Sequence, residues 1–352
     1  MRRLLPLAAS VIAAHAHAAP AYDFMPVTEQ INGMMQTYPS INGASLIIIR
    51  NGTVIDEEYF GTYTSATRIP IASASKWLSA LAIERLVEKN QMGWSDTVGQ
   101  YLPAAPADKQ GITLGQLFSH TSGLPAADAS CLGDHTNYTL DTCTQQILGL
   151  ALEYPPGTGF AYTGNGMQVG GRMAEIASGK SWDQLFQDEV TTQLGMAHTD
   201  FNPVALLPPY QSIQNPQIAG GVRSTLHDYA NVVQMVAQHG WWNGAQYLAA
   251  DDIADMQKDQ THSAPVISTP DPFAYGYGYG EWRNLIDAQG NAVQVSSTGK
   301  FGTSPWVDNE TGVAAVFLVY SSYSLIANDL RDLWSNVRNV VTDPIFSDGF
   351  GP

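Results

Sequence analysis

The sequence predicts a mixed α and β protein in which one sheet is built from both ends of the chain around a mainly helical insertion. Three observations carry that prediction. Strand-like segments cluster near the N-terminus and again in the last third. The middle shows helical periodicity broken by Pro/Gly loops, and no internal repeat or low-complexity tract divides the chain. The expected division is a removable leader over residues 1–18, an α/β domain formed by residues 19–75 and 211–352, and a mainly helical domain over residues 76–210. With 352 residues, 44% of them hydrophobic and 10% aromatic, the chain can bury the core this arrangement needs.

The leader comes first. Arg2-Arg3, the apolar stretch from Leu4 to Ala14 and the A-x-A site Ala16-His17-Ala18 read as an export signal. Its apolar run is too short to span a bilayer and no later segment is long enough, so no membrane anchor is expected. Arg2-Arg3 lacks the longer flanks of a twin-arginine signal, which leaves ordinary secretion, to the periplasm or the medium. In that oxidising setting Cys131 and Cys143, the only cysteines, are expected to form a disulfide in a Gly/Asp/Thr-rich loop, with two free thiols as the alternative.

The elements follow in order. Ser45 to Arg50 and Thr53 to Phe60 flank Asn51-Gly52, whose residues tolerate the positive φ angles of a hairpin turn. From Ser73 the period becomes helical: Trp77, Leu78, Leu81, Ala82, Leu86 and Val87 recur at three and four, and Asn90 can end the helix. To about residue 210 the chain reads as helices broken at Tyr101-Leu102-Pro103, Ser122-Gly123-Leu124-Pro125 and Pro155-Pro156-Gly157. Residues 224–239 form an amphipathic helix capped by Ser224-Thr225. Strands are expected from Tyr275 to Glu281, Val293 to Ser297 and Val313 to Tyr320, and a last helix over residues 325–341.

Charge narrows the function. Lys and Arg number 16 against 32 Asp and Glu, a formal charge of −16, which opposes binding to nucleic acid or to anionic lipid. Several signatures fail. There is no G-x-S-x-G elbow and no H-E-x-x-H, and the scattered His leave zinc unsupported, so neither metal nor cofactor is expected. Gly179-Lys180-Ser181 lacks the upstream Gly of a phosphate loop, because position 174 is Ala. Gly276, Gly278 and Gly280 alternate with Tyr, which reads as a strand or bulge.

Two S-x-x-K matches remain, Ser73-Ala74-Ser75-Lys76 and Ser297-Thr298-Gly299-Lys300. An activating Lys belongs one turn from its Ser on the same helical face. Only the first match runs into a helix, since the second meets Gly302 and Pro305. A Ser at a helix N-terminus also gains the positive end of the dipole, which stabilises an oxyanion. Lys76 acts as a base only when desolvated. The competing reading is a simple N-cap beside a solvated cation.

The surroundings of this motif are informative. Thr67-Arg68-Ile69-Pro70-Ile71-Ala72-Ser73-Ala74-Ser75-Lys76 resembles the F-R-I-A-S-x-S/T-K run of the serine β-lactamase-like superfamily. That superfamily includes class C β-lactamases, D,D-carboxypeptidases, D-aminopeptidases and family VIII esterases. Ile112 to Pro125, Pro156 to Tyr162, and Gly220 to Thr225 with Asp228 are similar, in the same order, to three further family segments, so the likeness spans roughly residues 65–320. It implies an α/β sandwich with a central antiparallel sheet and a mainly helical second domain. It also implies that Ser73 is the acylated nucleophile, Lys76 its partner, and Tyr162 a phenol of lowered pKa that shuttles the proton.

Two family motifs are altered here. The usual Tyr-x-Asn becomes Tyr162-Thr163-Gly164-Asn165, so Asn165 reaches the substrate only if the loop is bulged, and is otherwise a turn residue. The third motif aligns with Ser297-Thr298-Gly299, a competing register being Lys300-Phe301-Gly302. In the first register Ser297 and Thr298 flank the substrate, Gly299 lets the strand approach it, and the Lys300 N–H joins that of Ser73 as the oxyanion hole. Replacing the family's cation by Ser297 removes a charge-assisted bond to free-acid substrates, about 1.5–3 kcal/mol, and costs a neutral ester nothing. Tyr275, Tyr277, Tyr279 and Trp282 are candidates for an apolar acyl wall. The expectation is a secreted serine hydrolase for small carboxylic esters. Amide hydrolysis is the alternative, and a catalytically silent cell-wall peptide binder the reading from another class. The oligomeric state is not legible.

Overall fold

Four successive apolar residues, Leu46-Ile47-Ile48-Ile49, are buried together only where a strand has protein on both faces. The computed structural model, which describes residues 22–135, 137–201 and 213–343, places them there. They lie in β1 (Gly43–Arg50) of a six-stranded antiparallel sheet. The other strands are β2 (Thr53–Gly61), β3 (Trp282–Ile286), β4 (Ala292–Ser296), β5 (Ser304–Asp308) and β6 (Val313–Val319), in the order β2-β1-β6-β5-β4-β3. The sheet is thus drawn from both ends of the chain, and β1 pairs with β6 from Ala44↔Val319 to Arg50↔Val313.

Alternation along these strands sorts side chains into two layers. Leu46, Ile48, Phe317 and Val319 join Ile31, Leu330 and Trp334, from helices α1 (Met25–Thr37) and α4 (Tyr323–Thr342). Ile47, Ile49, Val316 and Leu318 face Trp77, Leu81, Val233 and Val236, from α2 (Ser75–Glu88) and α3 (Leu226–Ala237). Helix α2 carries buried residues all round and is the spine between the sheet and the helices beyond it.

Local chemistry agrees with the sequence at several points. Asn51 and Gly52 take φ of 49° and 79° at the hairpin, Asn90 takes 55° where α2 ends, and Thr225 Oγ1 accepts from the Asp228 N–H to cap α3. The disulfide Cys131–Cys143 forms, joining a 3₁₀ turn, Ser130–Gly133, to the helix Leu140–Leu148 rather than closing a plain loop.

Other expectations need correction. Tyr275 to Glu281 is not a strand: Gly276 and Gly280 turn with φ of 122° and 82°, and extended pairing starts at Trp282. Helix α1 and strand β5 were not anticipated. The leader, with its cleavage site, and the expected boundary at residue 210 lie outside the described residues. Among those described, no helix is long and apolar enough to cross a membrane.

Phe317 is wholly buried at the middle of β6, opposite Leu46 and Ser304. Phe317→Ala should cost about 3–5 kcal/mol in urea unfolding; a loss under about 1 kcal/mol would show that the α1/α4 layer does not rest on this ring.

Candidate active site

The segment before α2 is pinned on every side. Arg68–Pro70 pairs with Arg223–Thr225, and the Ile71 N–H donates to Val222 O at 2.9 Å. Ser75 Oγ donates to Ala72 O at 2.6 Å and accepts from the Val222 N–H at 3.0 Å, while the Tyr229 hydroxyl donates to Ala74 O at 2.7 Å. Held this way, Ala72 keeps a left-handed φ of 47°, unfavourable for a residue with a Cβ, and a 3₁₀ turn, Ala72–Ala74, leads into α2. Ser73 stands half-buried in that turn, where its N–H has no intrahelical acceptor.

Lys76 lies one turn on, 3% exposed, with Nζ 3.0 Å from Ser73 Oγ and donating to Ala219 O at 2.9 Å. Burial brings its pKa down to about 7, against the opposing pull of the Asp128 charge. The same Nζ sits 4.6 Å from the centroid of the Tyr162 ring. Tyr162 is stacked on Trp282 (5.1 Å, 18°) and packed on His120 (4.4 Å), and its N–H donates to Ser268 O. Burial pushes its phenol above the ordinary value, and the Ser73 and Tyr277 hydroxyls pull it down by less. The expected lowering is therefore corrected: loss of solvent outweighs the hydrogen bonds from these two hydroxyls. Burial and the Lys76 charge likewise hold the His120 imidazole well below its usual pKa.

The opposite wall is the segment after β4. Ser297 N–H donates to Pro305 O and Gly299 N–H to Thr303 O, so Ser297-Thr298-Gly299 runs beside Ser73. A Cβ on Gly299 would stand 2.1 Å from Ile71 O, so only glycine permits this approach. Lys300 follows with its side chain exposed, and no described residue accepts its N–H. Ser73, Lys76, Tyr162, Thr298, Gly299 and Lys300 all line one cavity of about 820 Å³.

Two side chains expected at the substrate are turned away from the cavity. Asn165 is fully buried, and its amide is spent on the loop before it: Nδ2 donates to Pro125 O and Ala127 O, and Oδ1 accepts from the Ala129 N–H. Ser297 Oγ is 3.0 Å from Gly280 O and 3.3 Å from Ser73 O, its hydroxyl turned onto the backbone. Neither side chain lines the cavity. Trp282 does, Tyr277 packs behind Tyr162, Tyr275 is exposed, and Tyr279 stacks on Trp94 elsewhere.

Sequence reasoning missed Asp128 and Arg331. Asp128 Oδ1 accepts from the Gly164 N–H at 2.7 Å, which ties the loop held by Asn165 to the turn after Tyr162. Arg331 reaches the cavity from α4 with its guanidinium 4.3 Å from the centroid of Phe273. Neither lies in a motif. Among the described residues no three His, Cys, Asp or Glu are grouped to hold a metal ion.

The profile of the family described as Beta-lactamase matches residues 31–334. A protein of Bacteroides dorei DSM 17855 assigned to the β-lactamases is 32% identical, with a TM-score of 0.79 over 92% of this chain and 100% of that one. EstCE1, a hydrolase with promiscuous acyltransferase activity, superposes with a TM-score of 0.72 at 21% identity, over 90% and 98% of the two chains, a likeness of fold. Protein flp of Staphylococcus aureus strain MW2 is 29% identical over 174 residues, which are 46% of this chain and 35% of that protein. The chain thus spans about a third to a half of the length of the curated relatives it matches.

A buried amine with a depressed pKa burdens the fold. The unfolded chain binds the Lys76 proton up to about pH 10.5 and the folded chain only to about 7, so stability rises with pH between those values. Lys76→Met should accordingly melt higher than wild type at pH 6, by a few kcal/mol of stability, and the gap should close towards pH 10. An unchanged gap across that range would show that Lys76 is not desolvated.

Proposed function

The chain belongs to the Beta-lactamase family, and from that premise we propose that it is a serine hydrolase that cleaves small neutral carboxylic esters through an acyl-enzyme. The observation that carries the reading is the 3.0 Å contact between the Ser73 hydroxyl and an amine brought to a pKa of about 7 by burial. At that pKa much of Lys76 is neutral at physiological pH. Nζ lies within hydrogen-bond reach of both Ala219 O and Ser73 Oγ; in the neutral amine one N–H stays on Ala219 O and the lone pair can take the Ser73 proton.

Ser73 Oγ attacks the ester carbonyl and its proton passes to Lys76. The carbonyl oxygen becomes an oxyanion held by the N–H groups of Ser73 and Lys300. Collapse breaks the bond to the alcohol, whose oxygen takes a proton from Tyr162, and Lys76 restores that proton. Tyr162, kept neutral by burial, suits this acid role, and Trp282 fixes its ring. Water then attacks the acyl-enzyme, giving its proton to the same relay, and Ser73 leaves with a proton restored.

Esters are favoured because position 297 carries a hydroxyl already turned onto carbonyl oxygens. The disulfide supports placing the protein outside the cytoplasm, in the periplasm or the medium. One observation favours a second reading: Lys300 and Arg331 both line the cavity, and such cations suit the carboxylate of a β-lactam or a D,D-peptide.

p-Nitrophenyl butyrate and nitrocefin assays on wild type and Ser73→Ala separate these readings. Ester turnover lost in the variant supports the first, nitrocefin turnover alone the second, and no turnover or acylation at all leaves a binding protein. Lys76→Ala and Tyr162→Phe should each lower kcat/KM by orders of magnitude with the fold retained; full activity in either removes that residue from the relay. The pH profile of kcat/KM should rise through about 7 as Lys76 loses its proton, whereas a limb near pH 10 would assign the base to another group.

A further inference from the structure

Beside the reaction cavity lies a second one of about 290 Å³, and the two share Asp271, Pro272 and Trp282. Trp282 stacks on Tyr162 and lines both spaces, so the indole beside the catalytic phenol is also the partition. The partition is ordered: Thr269 Oγ1 donates to Asp271 O at 3.0 Å and accepts from the Asp271 N–H at 3.1 Å. The annex is fastened to the site as well, because Phe160-Ala161 pairs in parallel with Val266–Ser268 immediately before Tyr162.

Its lining is apolar in effect. Phe160, Ala264, Val266, Ala274 and Trp282 supply hydrocarbon. The polar groups are already engaged: Thr261 Oγ1 on Asp259 at 2.7 Å, Thr269 as above, and Asp271 Oδ1 by the Phe273 N–H. A polar ligand would find little to bond. The surface agrees: of twelve large apolar side chains exposed among the described residues, six lie between 266 and 286 (Val266, Ile267, Phe273, Tyr275, Leu285 and Ile286), which concentrates wettable hydrocarbon on the segments around the annex.

We propose that this annex is the acyl-chain subsite: it takes a medium-length aliphatic acyl group that passes Trp282 from the ester carbonyl at Ser73. The inference rests on the ester reading and extends it to a substrate class, fatty-acyl esters rather than acetates. The occupant is the substrate itself because the space opens beside the nucleophile's cavity and is lined by hydrocarbon apart from two threonines already bonded and Asp271, which stands on the wall the two cavities share.

The test is a series of p-nitrophenyl esters from acetate to octanoate. Each methylene buried in the annex should raise kcat/KM about fourfold until the annex is full. Ala264→Phe and Ala274→Leu, which intrude on it from two sides, should leave acetate turnover and melting near wild type and flatten the rise for longer chains. Folded variants that keep the wild-type chain-length profile, or that lose all esters equally, overturn the subsite. If no ester is turned over in a Ser73-dependent way, the ester reading fails separately. Phosphonylation of Ser73 by alkyl fluorophosphonates of increasing chain length, with loss of fluoride, then reads the annex directly, and a rate independent of chain length overturns it.

Discussion

The proposed chemistry depends on keeping water away from one amine. Lys76 is buried against Ala219 O, Ser73 and the face of Tyr162, and only that exclusion makes its lone pair available near neutral pH. Much of the surrounding structure serves this end. Helix α2 is buried on nearly every face, so Lys76 projects from a rod that cannot turn towards solvent. Tyr162 and Trp282 close the open side with stacked rings. The charge of Asp128 restrains the shift, keeping the amine close to the pH at which it exchanges protons rather than permanently neutral.

A second constraint is the distance between two backbones. The segment after β4 and the turn before α2 come together because Gly299 has no side chain, and Ser297 fastens them through Ser73 O and Gly280 O. Position 297 is thus a brace. Asn165 plays the corresponding part on the other wall, where it holds the loop that carries Asp128. Both side chains, expected at the substrate, are engaged in holding a wall in position.

Local features were legible and assembled ones were not. Ser73 and Lys76 could be read from the chain because their relation is one helical turn, and the hairpin because Asn51-Gly52 answers a local conformational demand. Tyr162 came through resemblance, since its meeting with Ser73 is made by tertiary packing. Arg331 and Asp128 had no local mark: one arrives from α4 and the other from an irregular loop. The Gly-Tyr alternation imitated a strand period, yet glycine at positive φ bends the chain there. Helix α1 escaped notice because its N-cap, Phe24, offers no capping side chain and its first turn carries no acid.

The pairing of residues 44–50 with 313–319 bears on how the protein comes into being. Residues far apart along the chain must meet before β1 and β6 can pair and the central sheet can close. Contacts so distant along the chain make for slow closure. Until then Leu46 to Ile49 stay without their shelter, a stretch prone to self-association.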